Sequence, residues 1–470
     1  MSNLIHLQVS PGQSLKDVLF ERGVEFPCGG VSLCGHCKVR VIEGHVPVTE
    51  EMREALSPEE IAVGWRLGCL AEAHGEVTVE VGQWETPILA DDTAVTFEPG
   101  EGFGAVVDIG TTTLVAQLLD LRTGEVIGVR TALNPQSVHG ADLMSRIQFD
   151  LVEPGVLMRS IRGAVGEMLA GWKPREVLLA GNTAMHHLFC GLPVEPLAHV
   201  PFETPLCGAC QFDLYGTRVE FLQAIGGFVG SDILAGIIAV RMIESDRPQA
   251  LVDLGTNGEI AIGDRNGVIC ASTAAGPAFE AGRIHRGMRA ATGAISGVEL
   301  RQQQMRCSVI GGGPARGVCG SGLVDAVACG LDLSLVAPSG RLLNGTRELA
   351  LADGVALAQS DIRELQLAKG AIAAGLRLLG ADRAEHLYLA GAFGNYVSVR
   401  SARRIGLLPA IPEKVLPSGN TALQGTKALL LNPSRRGAML ESVLSRTQHI
   451  SLGSLAEFQD TFVDCMAFPK

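Results

Sequence analysis

Four cysteines of this 470-residue chain have a spacing that could do chemistry. Cys28, Cys34 and Cys37 share one glycine-rich loop, PCGGVSLCGHCKV, with five and then two residues between them, and Cys69 follows far downstream in WRLGCLA. Gly29, Gly30 and Gly35 would let backbone amides turn inward toward the sulfurs. Thiolate is the soft donor an iron–sulfur cluster needs, and three ligands in one loop with a distant fourth can wrap a two-iron cluster. Structural zinc is the competing reading. Zinc ligands usually come as paired C-x2–4-C spacings, whereas this pattern has one close pair, one wider step and a lone cysteine.

Two later segments are near-copies of each other: AVVDIGTTTLVAQLLDLRTGEVIG from Ala105 and ALVDLGTNGEIAIGDRNGVIC from Ala250. Each reads as an apolar strand, an Asp-x-Gly-Thr turn, a second apolar strand, a glycine-containing turn and a third strand. In the first copy Gly110 permits a sharp turn after Asp108. The amides and hydroxyls of Thr111, Thr112 and Thr113 could then face a phosphate, as an anion nest does. Asp108 would hold Mg2+ through water, because Mg2+ keeps several of its waters. In the second copy the same roles fall to Asp253, Gly255, Thr256 and Asn257, with Gly258 tightening the turn and Glu259 as a candidate for metal or for orienting a water. One copy alone would be an ordinary β-hairpin turn. Two copies, with aspartates 253 − 108 = 145 positions apart, point to a duplicated phosphate grip. A third element, LAGAFGNYVS from Leu389, reads as a strand running into a glycine loop. There Gly391 and Gly394 would let a purine lie against backbone, beside Ala392 and Phe393.

The elements that must position these residues follow from periodicity. Residues 4–9, 38–44 and 74–81 read as strands, and a short helix begins at Leu15, so residues 1–85 form a small β-rich unit. Regular patterning breaks over 86–103, which reads as a linker. Beyond it strands and helices alternate, and the repeat divides the remainder into lobe I, 104–248, and lobe II, 249–470. VLLAG, ending at Gly181, is a buried strand entering a helix near Asn182. Asp361, with Glu364 three residues on, is the expected cap of a long amphipathic helix. Asp232 reads either as a residue near the nucleotide or as the cap of a helix from Ile233.

The N-terminal unit resembles a 2Fe–2S ferredoxin of β-grasp fold. Its loop is one residue longer than the plant-type spacing and matches the adrenodoxin-like one, with a potential on the order of −400 mV or somewhat higher. The order of hairpin, hairpin and adenosine segment resembles the superfamily of acetate and sugar kinases, Hsp70-type chaperones and actin. That resemblance implies an α/β, two-lobed, duplicated ribonuclease-H-like ATPase behind an α+β N-terminal domain. The combination looks like the reductive activators of corrinoid proteins, and LLAGNTAMHHLF, IGGFVGSDILAG, STAAGPAFEAGRI and GVCGSGLVDAV add to the likeness. The resemblance implies ATP-dependent reduction of the inactive Co(II) form of a corrinoid protein or corrinoid methyltransferase to Co(I). The cluster cysteines would deliver the electron, ATP/ADP and Mg2+ would occupy the hairpins, and a low-potential reductant would lie upstream. It also implies a side-chain oxygen near cobalt, for which Ser272 is the candidate. The 86–103 linker leaves no room for the extra domain that members often carry there, and a homodimer stays open.

Bulk properties exclude other classes. The net charge is −12 with no run of Lys and Arg, which excludes nucleic acid as a partner. No apolar run reaches the ~18–20 residues of a membrane span. Twelve cysteines without an export signal fit a reducing, cytoplasmic setting. Cys207 and Cys210 form a C-x-x-C that reads as ordinary loop thiols. Cys190, Cys270, Cys307, Cys319, Cys329 and Cys465 read as core residues, as do the adjacent His186 and His187, which point to different faces of a helix. Competing functions are a small-molecule kinase with an appended ferredoxin, an activator of a non-corrinoid enzyme, and an electron carrier whose ATPase part serves only for docking.

Overall fold

The computed structural model describes residues 4–10, 15–21, 38–73, 75–81, 97–140, 142–214, 216–255, 257–290, 293–310, 313–343, 345, 347–408 and 414–470. They fall into two units: Met1–Pro87 with Glu280–Ala337 and Arg341–Glu364, and Ile88–Phe279 with Pro338–Gly340 and Leu365–Lys470. Most of the 86–103 segment lies outside the described residues.

In the first unit, alternating apolar residues build a four-stranded antiparallel sheet from β1 (Leu4–Val9), β2 (Lys38–Glu43), β3 (Trp65–Leu67) and β4 (Gly75–Val81), in the order β1-β4-β2-β3. Leu7, Val9, Val39, Leu67, Val77 and Val79 supply its core, closed by Leu15 and Leu19 of the helix Leu15–Glu21. The sequence reading located β1, β2 and β4 but missed β3 and the short helices Glu50–Ala55 and Pro58–Ala62. The second of these helices was announced by a full capping box, in which Ser57 Oγ accepts from Glu60 N–H and Glu60 Oε2 accepts from Ser57 N–H. Arg66 pins the connection over β3, donating to the Val46, Ile61 and Trp65 carbonyls.

The second unit carries the repeat. Its first six-stranded sheet contains β5 (Phe103–Ile109), β6 (Thr113–Asp120), β7 (Val126–Leu133), β8 (Glu176–Gly181), β9 (Cys210–Leu214) and β10 (Thr217–Phe221), in the order β7-β6-β5-β8-β10-β9. The second begins with β11 (Gln249–Leu254), β12 (Gly258–Asp264) and β13 (Gly267–Thr273). The chain then leaves to form β14 (Ala294–Arg301), β15 (Gln304–Val309), β16 (Gly317–Val318), β17 (Glu348–Ala352) and β18 (Val355–Ala358) in two small sheets of the first unit. It returns as β19 (His386–Ala390), β20 (Lys414–Gly419) and β21 (Thr447–His449), completing the order β20-β19-β11-β12-β13-β21. Both sheets read third–second–first–fourth strand, followed by β10, the sixth strand, in the first sheet and by β20, the fifth, in the second. In each, the first three strands are antiparallel, and the first and fourth are parallel to each other and to β10 or β20. The parallel strands are covered on both faces, as their continuous apolar runs require.

Side-chain parity decides which core each residue joins. Ala105, Val107 and Ile109 face a core with the helices Leu143–Val152, Val156–Leu169 and Thr183–Cys190. Val106, Leu178 and Ala180 face a second core shared with Leu251, Ala261, Cys270 and Ala390 of the other sheet and with the helices Ser231–Ala239 and Thr421–Leu430. At the foot of β8, Arg436 grips Glu176 with two parallel hydrogen bonds of 2.9 and 2.7 Å. That grip holds the Glu176 carboxyl below its usual range.

Glu176→Gln should lower the stability of this unit at pH 7 by about 1–2 kcal/mol, the range for a charge-assisted bond discounted for partial exposure. Because the folded pKa lies below the unfolded one, the contribution is present above ~4.3 and fades as pH falls through the folded value. Thermal midpoints of the two proteins should differ at pH 7 and converge in acid. Equal midpoints at pH 7 would remove the pair from the stabilising set.

Candidate functional site

Asp108 occupies the even-numbered face of β5 with Val106, and Asp253 shares its face of β11 with Leu251. Both faces pack on the shared core, so the two aspartates of the repeat are turned toward each other from different sheets. Each stands opposite an alanine of the fourth strand, Asp108 beside Ala180 and Asp253 beside Ala390. Across β12 and β13 the same row continues through Glu259 to Ser272. Lobe I has Val115 where lobe II has Glu259, so the two halves are not chemically equal. Asp232 joins them from the first turn of the helix Ser231–Ala239. Gly230 is its N-cap, and the Asp232 carboxylate accepts from Ile233 N–H at 2.8 Å. Asp232 is therefore not the cap of that helix. An added Cβ at Gly230 would lie 2.1 Å from the Gly181 carbonyl, so only glycine lets this loop close on the end of β8.

Burial raises the pKa of all four acids, and acidic neighbours add to the rise at Asp232, Asp253 and Glu259. Asp108 is pushed up to about 6, chiefly by desolvation and against a hydrogen bond from Asn420. Asp253 is pushed up to about 7 by desolvation and by the charge of Asp108. Asp232 and Glu259 are raised by desolvation and by their acidic neighbours, Asp253 foremost for Asp232 and Asp232 foremost for Glu259. Asp108, Asp232 and Asp253 reach solvent in part, whereas Glu259 is buried. Partly desolvated carboxylates gathered in this way are oxygen donors of the kind that could hold a hard divalent cation such as Mg2+ through its waters.

Both turns are braced. The Gly110 carbonyl accepts from Asn134 Nδ2 at 2.9 Å, and the Thr111 carbonyl accepts from buried Arg146 at 2.6 Å. Asn182 Nδ2 donates to Thr111 Oγ1 at 3.2 Å while its Oδ1 caps the helix Thr183–Cys190. A Cβ at Gly110 would strike the Thr113 carbonyl at 2.5 Å. Thr112 lies in the turn and Thr113 opens β6. In the second turn Gly255 N–H donates to the Asn257 carbonyl at 3.0 Å, and Thr256 lies outside the described residues. Asn420 Nδ2 donates to Asp108 Oδ2 at 2.8 Å while its Oδ1 caps the helix Thr421–Leu430. Asn134, Arg146 and Asn420 were missed from sequence. Only their capping or turn signals were visible, and Asn420 is 312 positions from its partner.

The adenosine segment differs from expectation. Gly391, Ala392 and Gly394 do not form a loop but open the short helix Gly391–Tyr396 directly after β19. Gly391 has φ +80°, and a Cβ there would lie 2.5 Å from Asp253 Oδ1. Glycine is what permits that close approach to the acid. Phe393 stacks on Phe279 with centroids 4.7 Å apart. The long helix likewise starts earlier, at Gln359. Asp361 sits in its first turn, with one carboxylate oxygen accepting from Ala358 N–H and the other from His285 N–H, both at 2.8 Å.

Of the four predicted thiolate ligands, Cys28, Cys34 and Cys37 lie outside the described residues. Cys69 is half-buried in the turn after β3 and packs on the core of the N-terminal sheet with Leu70. Lys38, bonded to Cys37, pairs with Leu67, two residues before Cys69. The sheet thus sets Lys38, which follows Cys37 in the chain, beside β3, the strand that leads to Cys69.

Duplicated sheets with paired acids, in one chain with a cysteine-bearing antiparallel sheet, define an ATPase joined to a ferredoxin. Family profiles match along the chain: a 2Fe-2S iron-sulfur cluster binding domain over residues 3–74, the RACo middle region over 103–245, and the C-terminal domain of RACo, the ASKHA domain, over 247–470. The chain is 32% identical to the corrinoid activation enzyme RamQ of Eubacterium limosum, over 77% of this chain and 69% of the relative. It is 28% identical to the [Co(II) methylated amine-specific corrinoid protein] reductase of Methanosarcina barkeri, over 77% of this chain and 76% of the relative. A solved reductive activator for a corrinoid, iron-sulfur protein shares the fold, with a TM-score of 0.69 at 24% identity over 98% of this chain and 96% of that one. The chain belongs to the family of reductive activators of corrinoid proteins. Among the described residues no helix is long and apolar enough to cross a membrane.

Without Mg2+ and nucleotide, the raised acids bind more protons folded than unfolded, so stability should fall as pH rises. Their contribution is intact below ~4 and is lost as pH climbs through about 6 for Asp108 and about 7 for Asp253. The thermal midpoint should drop over that window, Asp232→Asn should flatten the drop, and Mg·ADP should abolish it. A midpoint indifferent to pH with or without Mg·ADP would contradict the cluster. Separately, Cys69→Ser should remove most of the visible cluster absorption and leave ATP binding largely intact. An unchanged spectrum would take Cys69 out of the ligand set.

Proposed function

We propose that this chain returns the oxidised, inactive Co(II) form of a corrinoid protein or corrinoid methyltransferase to Co(I), using Mg·ATP and an electron delivered through its ferredoxin domain. The reading is carried by the convergence of Asp108 and Asp253, one from each copy of the repeat, on one acidic site, in a chain that also supplies Cys28, Cys34, Cys37 and Cys69. A 2Fe–2S cluster held by those thiolates supplies one low-potential electron at a time. Its upstream donor is a low-potential reductant, which fits a reducing, cytoplasmic setting.

The residues divide the labour as follows. Asp108, Asp253 and Glu259 hold Mg2+, mostly through its waters. Gly110, Thr111, Thr112 and Thr113 from the first turn, with Gly255, Thr256 and Asn257 from the second, receive the phosphates on amides and hydroxyls. Gly391, Ala392 and Gly394 line the nucleoside side, where Gly391 leaves space beside Asp253. Asp232, held neutral by its acidic neighbours, becomes ionised once a cation offsets their charge. A carboxylate whose pKa is brought back toward neutrality is suited to take a proton from an attacking water. Residues 1–85 form the ferredoxin domain, 86–103 a linker, and 104–248 and 249–470 the two ATPase lobes.

Reduction of Co(II) from a ferredoxin-level donor is uphill, each ~59 mV being a tenfold handicap or about 1.4 kcal/mol for one electron. ATP offsets this only if the nucleotide-bound form distinguishes the two cobalt states of its substrate, because a ligand shifts an equilibrium by its differential affinity and no more. Two acid-bearing hairpins that repel when empty and close on Mg·ATP give two such forms.

The reading is tested by mixing reduced, cluster-loaded protein with a Co(II) corrinoid protein, with and without Mg·ATP, and following the Co(I) band. Co(I) should accumulate only with ATP. Asp253→Asn should slow its appearance at least ~100-fold while leaving the cluster spectrum unchanged. Equal Co(I) yields with and without nucleotide would refute it, and transfer of phosphate to an added sugar or acid would favour a kinase instead.

A further inference from the structure

Away from the acidic site, three side chains that the sequence scatters are brought to one point. His186 and Cys190 lie four residues apart on the helix Thr183–Cys190, hence on one face. Cys210 is the first residue of β9 and pairs with Phe221 of β10. The same Phe221 packs edge-on against the His186 ring, with centroids 5.0 Å apart. One ring nitrogen of His186 and the Sγ atoms of Cys190 and Cys210 all lie within 4.8 Å of one another.

His186 is fully buried, and neither of its ring nitrogens has a hydrogen-bond partner. Burial, and secondly the neighbouring His187, push the ring's pKa down to about 4 and keep it neutral, against a close approach of the Gly208 backbone that makes no well-formed bond. Buried polar atoms are normally paired. The adjacent His187 has one ring nitrogen paired, its Nδ1 standing 2.6 Å from the Pro193 carbonyl, and only its Nε2 lacks a partner. His186 instead turns toward two thiols, and Cys190 and Cys210 are each only half-buried, so solvent reaches the point where the three meet.

We propose that His186, Cys190 and Cys210 form a binding site for one zinc-class divalent cation, with a fourth coordination position open to solvent. One imidazole and two thiolates suit a borderline-soft, tetrahedral ion and disfavour the hard Mg2+ of the nucleotide site. Tetrahedral zinc with bonds of ~2.3 Å to sulfur and ~2.0 Å to nitrogen sets its donors about 3.4–3.8 Å apart, a distance within a small side-chain adjustment of the group seen here. Cys207 stands apart, its Sγ donating to the Thr204 carbonyl at 3.4 Å. Binding would tie the start of β9 to the helix Thr183–Cys190, whose capping residue Asn182 supports Thr111. Neither the donor set nor its test depends on the nucleotide reading.

The test uses full-length, cluster-loaded protein, stripped with a chelator and titrated anaerobically with Zn(II) against a chromophoric competitor. Iron and zinc are counted together, and zinc-edge X-ray absorption reads the ligands. One zinc per chain should bind in addition to the cluster iron, with two sulfur scatterers and one imidazole. Cys190→Ser and Cys210→Ser should each weaken binding by at least ~100-fold, a ligand costing no less than a second-shell partner, while Cys207→Ser and Cys69→Ser should leave it intact. No retained zinc, or a shell of oxygen and nitrogen alone, would overturn the site. Loss with Cys69→Ser would move the ion to the ferredoxin cysteines, and loss with Cys207→Ser would overturn the open position.

Discussion

Repulsion among half-buried carboxylates is the interaction on which the second unit turns. Asp108, Asp232, Asp253 and Glu259 are placed where burial raises every pKa and where acidic neighbours raise those of Asp232, Asp253 and Glu259 further. Hydrophobic packing of the shared core drives them together, and their charges resist it. A protein core tolerates such a group only when it is neutralised by protons or by a cation.

The duplication explains why two acids meet at all. Each copy places its aspartate at the same point of a first strand, beside an alanine on the fourth strand. Each copy also turns that aspartate to the face that packs on the other half. The asymmetry lies in the second strand, where lobe II has Glu259 and lobe I has Val115. Two halves with equal scaffolds thus carry unequal chemistry at the acidic site.

A corrinoid activator has to link this grip to an electron carrier. The N-terminal sheet meets its part of the task with modest means: a hydrophobic core, a capping box, Arg66 across a connection, and register that sets Lys38 opposite Leu67. Within the same unit Arg316, from the stretch between β15 and β16, lies over the Trp65 ring at 4.4 Å. A segment inserted into the second copy of the repeat therefore packs with the cysteine-bearing sheet.

The cysteine spacing and the two Asp-x-Gly-Thr hairpins were legible in the amino-acid order because each is local: ligand spacing, strand parity and turn glycines need no knowledge of distant chain. From them came the fold class, the repeat and both principal acids. Other features depended on contacts between distant parts of the chain. Asn420 reaches Asp108 from 312 positions away, Arg146 holds Thr111 from 35, and the packing chose, of the two readings of Asp232, the one beside the other acids. Gly391 lies so close to Asp253 that a side chain there would strike the carboxylate. His186, Cys190 and Cys210 read as unremarkable until a helix face and a strand end were laid side by side. Composition and period determine which elements form and which face each buries. Which polar groups then share a low-dielectric space is decided by packing, because the cost of burying them depends on neighbours that only the folded chain supplies.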